Sequence, residues 1–379
     1  MVSTNPPRGK WSGCQPGNQG LMYLAGPLPV FLFRAFPRFG RWASILGLFV
    51  MCVALAASSF ATSVTQLIAT QGVLYALGGC LAYWPCILYM DEWFARKKGL
   101  AYGIMWSGTG LAGVVLPLLM EHLLDARGFR TTLRLWSGLL FAVTAPLSWF
   151  VKPRVPVTVA SSSETHARPS RSLRFVFSRL FVVHQAANIV EATGFFLPGI
   201  YLPLYAQASL GAGPVASALT ILLLNVASVF GCVAMGHLVD RLPVTTCLLL
   251  STAGAAGSAL LLWGLATSLP VLYVFCVVYG FFAGSYTSAW PGIMKLVTAR
   301  ERERGFGADP SMVFGVLAAG RGIGNVISGP LSEAMVRELP WKGRAAAGYG
   351  SGFGSLIVFT GVTAAVGGAS FVWNRVRQL

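Results

Sequence analysis

Charge is the scarcest property of this sequence: 11% of its residues are Asp, Glu, Lys or Arg, whereas about a quarter are charged in soluble domains. Acidic residues are the rarer sign, with 12 Asp and Glu against 28 Lys and Arg. A chain that is 55% hydrophobic and contains 44 glycines is too apolar for an ordinary soluble protein. Because small residues let helices approach closely in lipid, the composition predicts an all-α membrane protein built from packed helices.

Sequence motifs of catalysis and metal binding are also missing. The seven cysteines include no C-x-x-C pair, and six lie in or beside apolar runs, so they are interpreted as small hydrophobic residues. The sequence contains no H-E-x-x-H, no G-x-S-x-G and no pair of carboxylates within its apolar runs. A membrane-embedded enzyme would therefore lack its catalytic residues, and we expect neither a cofactor nor a metal.

Eleven apolar runs are candidates for membrane spans, since a helix needs about 20 apolar residues to cross the hydrocarbon core. They lie near 19–36, 43–61, 64–89, 99–121, 131–150, 180–208, 214–238, 244–267, 269–297, 311–336 and 350–373. A stretch rich in Pro, Ser and Arg separates the fifth run from the sixth. The sequence thus predicts a polar tail at 1–18, a five-helix bundle at 19–151, a linker at 152–179 and a six-helix bundle at 180–379.

The net charge of +16 would suit nucleic acid only if the basic residues were clustered on one surface. They are scattered in short groups between the apolar runs instead. When alternate loops are assigned to opposite sides, nineteen basic residues fall on one side and eight on the other, with Arg321 left inside a run. By the positive-inside rule the linker and the C-terminus lie in the cytoplasm, and the expected partner is the lipid bilayer, with no nucleic acid.

Four stretches taken together resemble the major facilitator superfamily, and within it the monocarboxylate-porter-like proteins of fungi. They are YMDEWFARKKGLAYGIMWSGTGLAGVVLP (89–117), GFFLPGIYLPLYAQ (194–207), LNVASVFG with GHLVDR (224–241) and GRGIGNVISGPLSEA (320–334). The resemblance implies two helical bundles and a multi-pass protein of the plasma membrane. It also implies alternating-access transport of a small organic solute, with monocarboxylate-like substrates and symport of protons.

In the numbering of that family, the eleven runs correspond to spans 2 to 12, and span 1 has no counterpart in this sequence. Two positions also depart from the pattern. Pro37 stands where the superfamily usually has Asp before Arg38, and Cys232 stands where relatives commonly have an Arg that could bind a substrate carboxylate. These departures support an alternative hypothesis, a non-transporting remnant or membrane sensor with the same fold.

The stretch after residue 90 combines charge with glycine. Gly108, Gly110 and Gly113 match the dinucleotide fingerprint G-x-G-x-x-G, but that fingerprint follows a strand, and here it lies inside an apolar run. We therefore predict that these glycines form a helix-packing face. The charged residues of this turn and of the turn after span 8 either anchor the topology or latch neighbouring turns as a gate: Asp91, Arg96, Lys97, Lys98, Asp240 and Arg241.

Two ionisable side chains lie near the middle of a span, Glu191 in span 7 and Arg321 in span 11. At 1.5 Å per residue their depths are about 16 and 15 Å. Since a buried charge needs a partner or water, and since the family fold places these spans side by side, we predict an ion pair. The pair either only fixes helix packing, or Arg321 binds an anionic substrate while Glu191 exchanges partners or takes a proton.

Aromatic and polar side chains at positions typical of a transport cavity complete the candidate set. Each is either a packing residue or a substrate contact: Tyr83, Trp84, Trp106, Asn225, Tyr286 and Trp290. His184 lies one turn inside span 7 and is interpreted as an interfacial group rather than a proton relay.

Overall fold

The computed structural model describes residues 20–154, 173–337 and 339–371. The predicted tail at 1–18 and most of the linker at 152–179 lie outside the described residues. The described part is helical and contains no strand.

The helices are numbered α1 to α10 in chain order, and a short helical stretch at 20–24 precedes them. They are α1 Pro27–Ala35, α2 Pro37–Ser58, α3 Val64–Trp93, α4 Lys98–Ser148, α5 Arg179–Leu210, α6 Pro214–Val239, α7 Val244–Trp263, α8 Leu269–Glu303, α9 Pro310–Val336 and α10 Gly354–Phe371. Among the described residues, eight helices, α3 to α10, have the length and apolar composition to cross a membrane. Each of the eleven predicted runs overlaps helical residues within the described ranges, while the number of spans stays a prediction.

Helix α4 accounts for two of the predicted runs because one residue breaks it. Gly128 has φ 72° and ψ 167°, which divides the helix into an arm at 98–127 and an arm at 129–148. A positive φ is costly for residues with a Cβ, so glycine is required here by the backbone alone. No atom within 4 Å would obstruct a Cβ at this position.

Helix α8 is interrupted near its middle. A 3₁₀ turn, Tyr286–Ala289, separates the α-helical part Leu269–Ala283 from the part Trp290–Glu303. Pro291 follows the turn and cannot donate a backbone hydrogen bond, which favours a local break in the helix. The interruption holds Tyr286 and Trp290 at a bend between the two bundles.

The two bundles, α1 to α4 and α5 to α10, meet along α4 and α6. A Cβ added at Gly103 would lie 2.5 Å from the carbonyl oxygen of Cys232, and one added at Gly110 would lie 2.5 Å from Ser228 Oγ. Such distances leave no room for a side chain, so the helices pack backbone against backbone. Cys232 contributes its carbonyl oxygen to this contact, whereas its Sγ donates a hydrogen bond of 3.2 Å to the carbonyl oxygen of Gly284 in α8.

The predicted packing face is confirmed for two of the three glycines in the fingerprint-like motif. Gly110 and Gly113 both face α6, and a Cβ at Gly113 would lie 2.6 Å from Asn225 Oδ1. The prediction is wrong for Gly108, which has no atom within 4 Å of its Cβ position. Gly108 is five residues from Gly103, so the helical repeat turns it away from α6.

Candidate functional site

The predicted ion pair between α5 and α9 is present in the structure. Arg321 Nη1 donates a hydrogen bond of 2.6 Å to Glu191 Oε2. The side chains are 2% and 5% exposed respectively. Two opposite charges so deeply enclosed stabilise each other, and either one alone would remain as an uncompensated buried charge.

Aromatic rings enclose the guanidinium of Arg321. Its Cζ lies 4.5 Å from the ring centroid of Phe195 and 5.8 Å from that of Tyr286, distances at which a cation is attracted to a ring face. A guanidinium has five N–H donors, and within the described residues only Nη1 of Arg321 has a hydrogen-bond acceptor. The group therefore has donor capacity left for an anion.

A small cavity lies on the other side of Glu191, inside the second bundle rather than between the bundles. It has room for about one water molecule. Its polar lining comes from a carboxylate and five hydroxyl-bearing residues of α5, α7, α8 and α10: Glu191, Ser251, Thr252, Tyr279, Tyr286 and Thr360. The cavity is too small for an organic solute, but it brings the carboxylate into reach of a water.

A line of buried polar residues on one face of α5 leads to Glu191. His184, Asn188 and Glu191 follow at spacings of four and three residues, which places them above one another on the helix. Asn188 Nδ2 donates to the carbonyl oxygen of Leu317 at 2.8 Å. Sequence reasoning missed Asn188, although the i, i+3, i+4 spacing of polar residues around Glu191 would have indicated it.

The interpretation of His184 as an interfacial group is wrong, since it is 2% exposed. Its Nδ1 lies 2.9 Å from the carbonyl oxygen of Leu180. The 3₁₀ segment Leu173–Phe177 precedes α5 and packs against it, and Phe175 of this segment meets Phe181 at a ring-centroid distance of 5.1 Å. This segment packs on the first turn of α5, and His184, about one turn further along, is enclosed by protein.

Of the other predicted contacts, Trp106 and Tyr286 belong to the same buried cluster of side chains. The ring of Trp106 on α4 lies 6.1 Å from that of Trp290 on α8, which joins the two bundles. Asn225 is not brought into this group. Its Nδ2 donates to the carbonyl oxygen of Ile221 at 3.0 Å and to that of Gly113 at 3.4 Å, so it takes part in the contact between α4 and α6.

The charged turns lie close to the N-terminus of α4. Asp240, at the end of α6, accepts hydrogen bonds from the backbone N–H groups of Gly99 at 2.8 Å and Leu100 at 2.9 Å. Lys97, at the N-cap position, offers no side-chain cap of its own. A carboxylate from one bundle thus satisfies free N–H groups and the positive dipole end of a helix in the other.

The remaining charges of these turns do not cross between bundles in the described contacts. Asp91 pairs with Lys98, within the turn that joins α3 to α4. The side chains of Arg96, Lys97 and Arg241 are exposed. The contact of Asp240 has the geometry of a latch, whereas a gating role of these turns stays a prediction.

Comparisons of the sequence and of the structure with known proteins agree on one family. The profile of the Major Facilitator Superfamily matches residues 21–328. The MFS transporter asaE of Aspergillus flavus is 26% identical over 353 residues, which cover 93% of this chain and 74% of that protein. Monocarboxylate transporter 12-B of Danio rerio is 31% identical over 293 residues, covering 69% of this chain and 61% of that protein.

Another relative, the Fujikurins efflux protein of Gibberella fujikuroi, is 25% identical over 360 residues, covering 94% of this chain and 71% of that protein. The crystal structure of the human organic anion transporter MFSD10 (TETRAN) has the same fold, with a TM-score of 0.62 at 13% sequence identity. The similarity covers 96% of this chain and 82% of the human one. The chain therefore belongs to the Major Facilitator Superfamily, and it is a multi-pass membrane transporter rather than an enzyme.

Proposed function

We propose that the chain transports a small organic anion together with a proton, and that Arg321 is its anion-binding group. This proposal rests on one observation, the environment of the Arg321 side chain. It is deeply buried near the middle of a span, faces two aromatic rings, and uses one nitrogen for a single carboxylate partner. Intramembrane charges of this kind mark substrate and proton pathways in transporters.

Glu191 competes with the substrate for this guanidinium. While Glu191 is ionised, its carboxylate occupies Arg321; when Glu191 takes a proton, its attraction to Arg321 is lost and a substrate carboxylate takes its place. The charge of the buried site is unchanged by this exchange, because one anion replaces another. Proton binding and anion binding then favour each other to the same extent, as thermodynamic linkage requires.

Among the described residues, the surroundings of Glu191 supply no second charge that would disturb this exchange. Arg321 comes from α9, the tyrosines Tyr279 and Tyr286 come from α8, and α7 and α10 line the cavity with hydroxyl and alkyl groups. The cavity also borders Tyr286, whose ring faces Arg321. This arrangement supports a water in the cavity as the proton donor to Glu191.

The turns at Asp91–Lys98 and Asp240–Arg241 supply the gate in this proposal. We assign them to the cytoplasmic side of the plasma membrane, because nineteen of the basic residues share that side in the predicted topology. The contact of Asp240 with Gly99 and Leu100 then closes the cytoplasmic side. Two relatives, a monocarboxylate transporter and an efflux protein, support an organic substrate, but their names suggest different directions of transport.

The test uses the full chain, purified and reconstituted, with labelled acetate, lactate and benzoate as probes at pH 5.5 and pH 7.5. In the parent protein we expect tighter binding of at least one acid at the lower pH. Glu191→Gln keeps the size and removes the competing charge, so binding should be tight at both pH values. Arg321→Gln should bind none of the three acids.

The matched control is Glu301→Gln. Glu301 is also a buried acid paired with an arginine, since Arg304 Nη1 lies 2.9 Å from its Oε1, but it lies at the end of α8. This variant should keep the pH dependence of the parent. An unchanged pH dependence in Glu191→Gln would contradict the proposal. A folded parent that binds an acid but moves none of the three into vesicles would favour the alternative of a remnant or sensor.

A further inference from the structure

Among the residues that the structure describes, four buried polar atoms in one group of aromatic side chains make no hydrogen bond to an oxygen or nitrogen atom. They are Tyr83 Oη and the Nε1 atoms of Trp84, Trp106 and Trp290. An indole N–H can donate and cannot accept, so each of the three tryptophans needs an acceptor oxygen. A buried donor without a partner costs about 1–3 kcal/mol, and three within one group are a large cost for packing alone.

These residues, with Phe314, form what we call the aromatic cluster, and it lies across the boundary between the bundles. Tyr83 and Trp84 come from α3 and Trp106 from α4, whereas Trp290 comes from α8 and Phe314 from α9. Ring centroids lie 6.1 Å apart for Trp106 and Trp290, 5.8 Å for Trp84 and Phe314, and 5.2 Å for Trp290 and Phe314. Any movement that separates the bundles therefore opens ring faces and donors together.

The aromatic cluster is continuous with the surroundings of Arg321. Tyr286, whose ring lies 5.8 Å from the guanidinium, is part of the same buried core as Trp106 and Trp290. Tyr286 precedes Trp290 by four residues on α8, which corresponds to about 6–8 Å along the helix. The ring that faces the anion-binding group and one of the unused donors thus lie about one turn apart on α8.

We infer that the substrate is a planar aromatic acid with a second acceptor oxygen opposite its carboxylate. This inference rests on the proposed function of Arg321. The carboxylate binds Arg321, the ring lies between the side chains of the aromatic cluster, and the distant oxygen accepts from Trp106 or Trp290. A short aliphatic acid would leave those donors unpaired, and sites built to bond a substrate oxygen reject analogues that lack it.

The experiment compares two acids of the same shape, 4-acetylbenzoate and 4-isopropylbenzoate, of which only the first has the distant acceptor. Binding of each to the purified full chain is measured by calorimetry. We expect the parent to bind 4-acetylbenzoate about tenfold more tightly or better, as expected when one buried donor gains its partner. Trp106→Phe and Trp290→Phe keep an aromatic ring and delete the N–H. In at least one of these variants, the ratio of the affinities for 4-acetylbenzoate and 4-isopropylbenzoate should fall close to one.

Trp263→Phe is the matched control. Trp263 Nε1 is also buried and without a partner, but its ring packs on Tyr205 and Phe275 in a separate core of the second bundle. This variant should keep the preference of the parent for 4-acetylbenzoate.

The outcomes separate this inference from the proposed function. If both acids bind equally and both are lost in Arg321→Gln, the anion site stands and the inference about the donors is wrong. The indole N–H groups would then point at neighbouring ring faces. If the parent prefers 4-acetylbenzoate but both tryptophan variants keep that preference, the donors are misassigned. If neither acid binds to a folded parent that binds acetate or lactate, this inference is wrong and the anion site stands; if none of the five acids binds, both proposals fail.

Discussion

Removing one member of the Glu191–Arg321 pair should cost far more stability than removing both. Each side chain is at most 5% exposed, so a single replacement leaves the partner's charge buried. Breaking such a pair costs about 3–5 kcal/mol, whereas exchange of both members for apolar residues of similar size is often neutral or stabilising. Glu191→Leu and Arg321→Met should therefore each destabilise the protein, and the double variant should recover most of the loss.

The assay is the melting temperature of the purified protein in detergent. With an unfolding entropy of about 2.1 cal/mol/K per residue, the free energy of unfolding of a chain of 379 residues changes by about 0.8 kcal/mol per degree near the melting temperature. A loss of 3–5 kcal/mol then lowers the melting temperature by about 4–6 °C. Arg300→Met is the control, because Arg300 and Glu303 form a pair whose side chains are 55% and 64% exposed. Exposed pairs contribute little.

The reasoning would be refuted if the double variant melted below both single variants, by the sum of their losses. Glu191 and Arg321 would then contribute independently, and their hydrogen bond would not be an energetic unit. A strong coupling in this cycle is expected of a structural pair and of a functional pair alike. The pH dependence of anion binding in Glu191→Gln, described above, distinguishes between them.

Three further predictions concern the backbone contacts. Asp240→Ala removes both acceptor oxygens and should weaken the cap on α4 by about 0.5–2 kcal/mol. The loss should be seen as faster amide hydrogen exchange in the first turn of α4, and unchanged exchange would contradict the latch. Gly103→Val should force α4 from α6 and lower the melting temperature by several degrees, whereas Gly108→Val, whose Cβ position is open, should change it little. Gly128→Ala should destabilise by about 1–3 kcal/mol because its φ is positive. Gly138→Ala, in open space, should be neutral or stabilising by up to about 1 kcal/mol, and equal effects of the two alanines would refute the strain argument.

The level of the charged residues within the membrane could be predicted from the sequence, because a helix rises by a fixed distance per residue. Glu191 and Arg321 were placed at the same depth by counting, and their hydrogen bond confirms that placement. The family resemblance supplied the neighbouring positions of their spans. Counting residues along a span gives the depth of a side chain in the membrane, but it does not show which other span lies beside it.

Contacts that depend on the arrangement of distant segments could not be predicted in this way. The cap that Asp240 provides for α4 joins residues more than a hundred positions apart and depends on how closely α4 and α6 approach. The depth of His184 predicts an interface, whereas its burial depends on how neighbouring segments pack around α5. The unpaired tryptophan donors had no sequence signal at all, since pairing is a property of the packed structure.

The contact between α4 and α6 has a mechanical consequence. Where Gly99 meets Gly236 and Gly103 meets Cys232, backbone touches backbone and no long side chains interlock. Two smooth helices can roll over each other without first changing side-chain rotamers, whereas the interlocked tryptophans beside them must separate ring by ring. We therefore expect the contacts of Gly103 and Gly110 with α6 to be the pivot of any movement between the bundles, while the aromatic cluster and the contact of Asp240 with Gly99 separate.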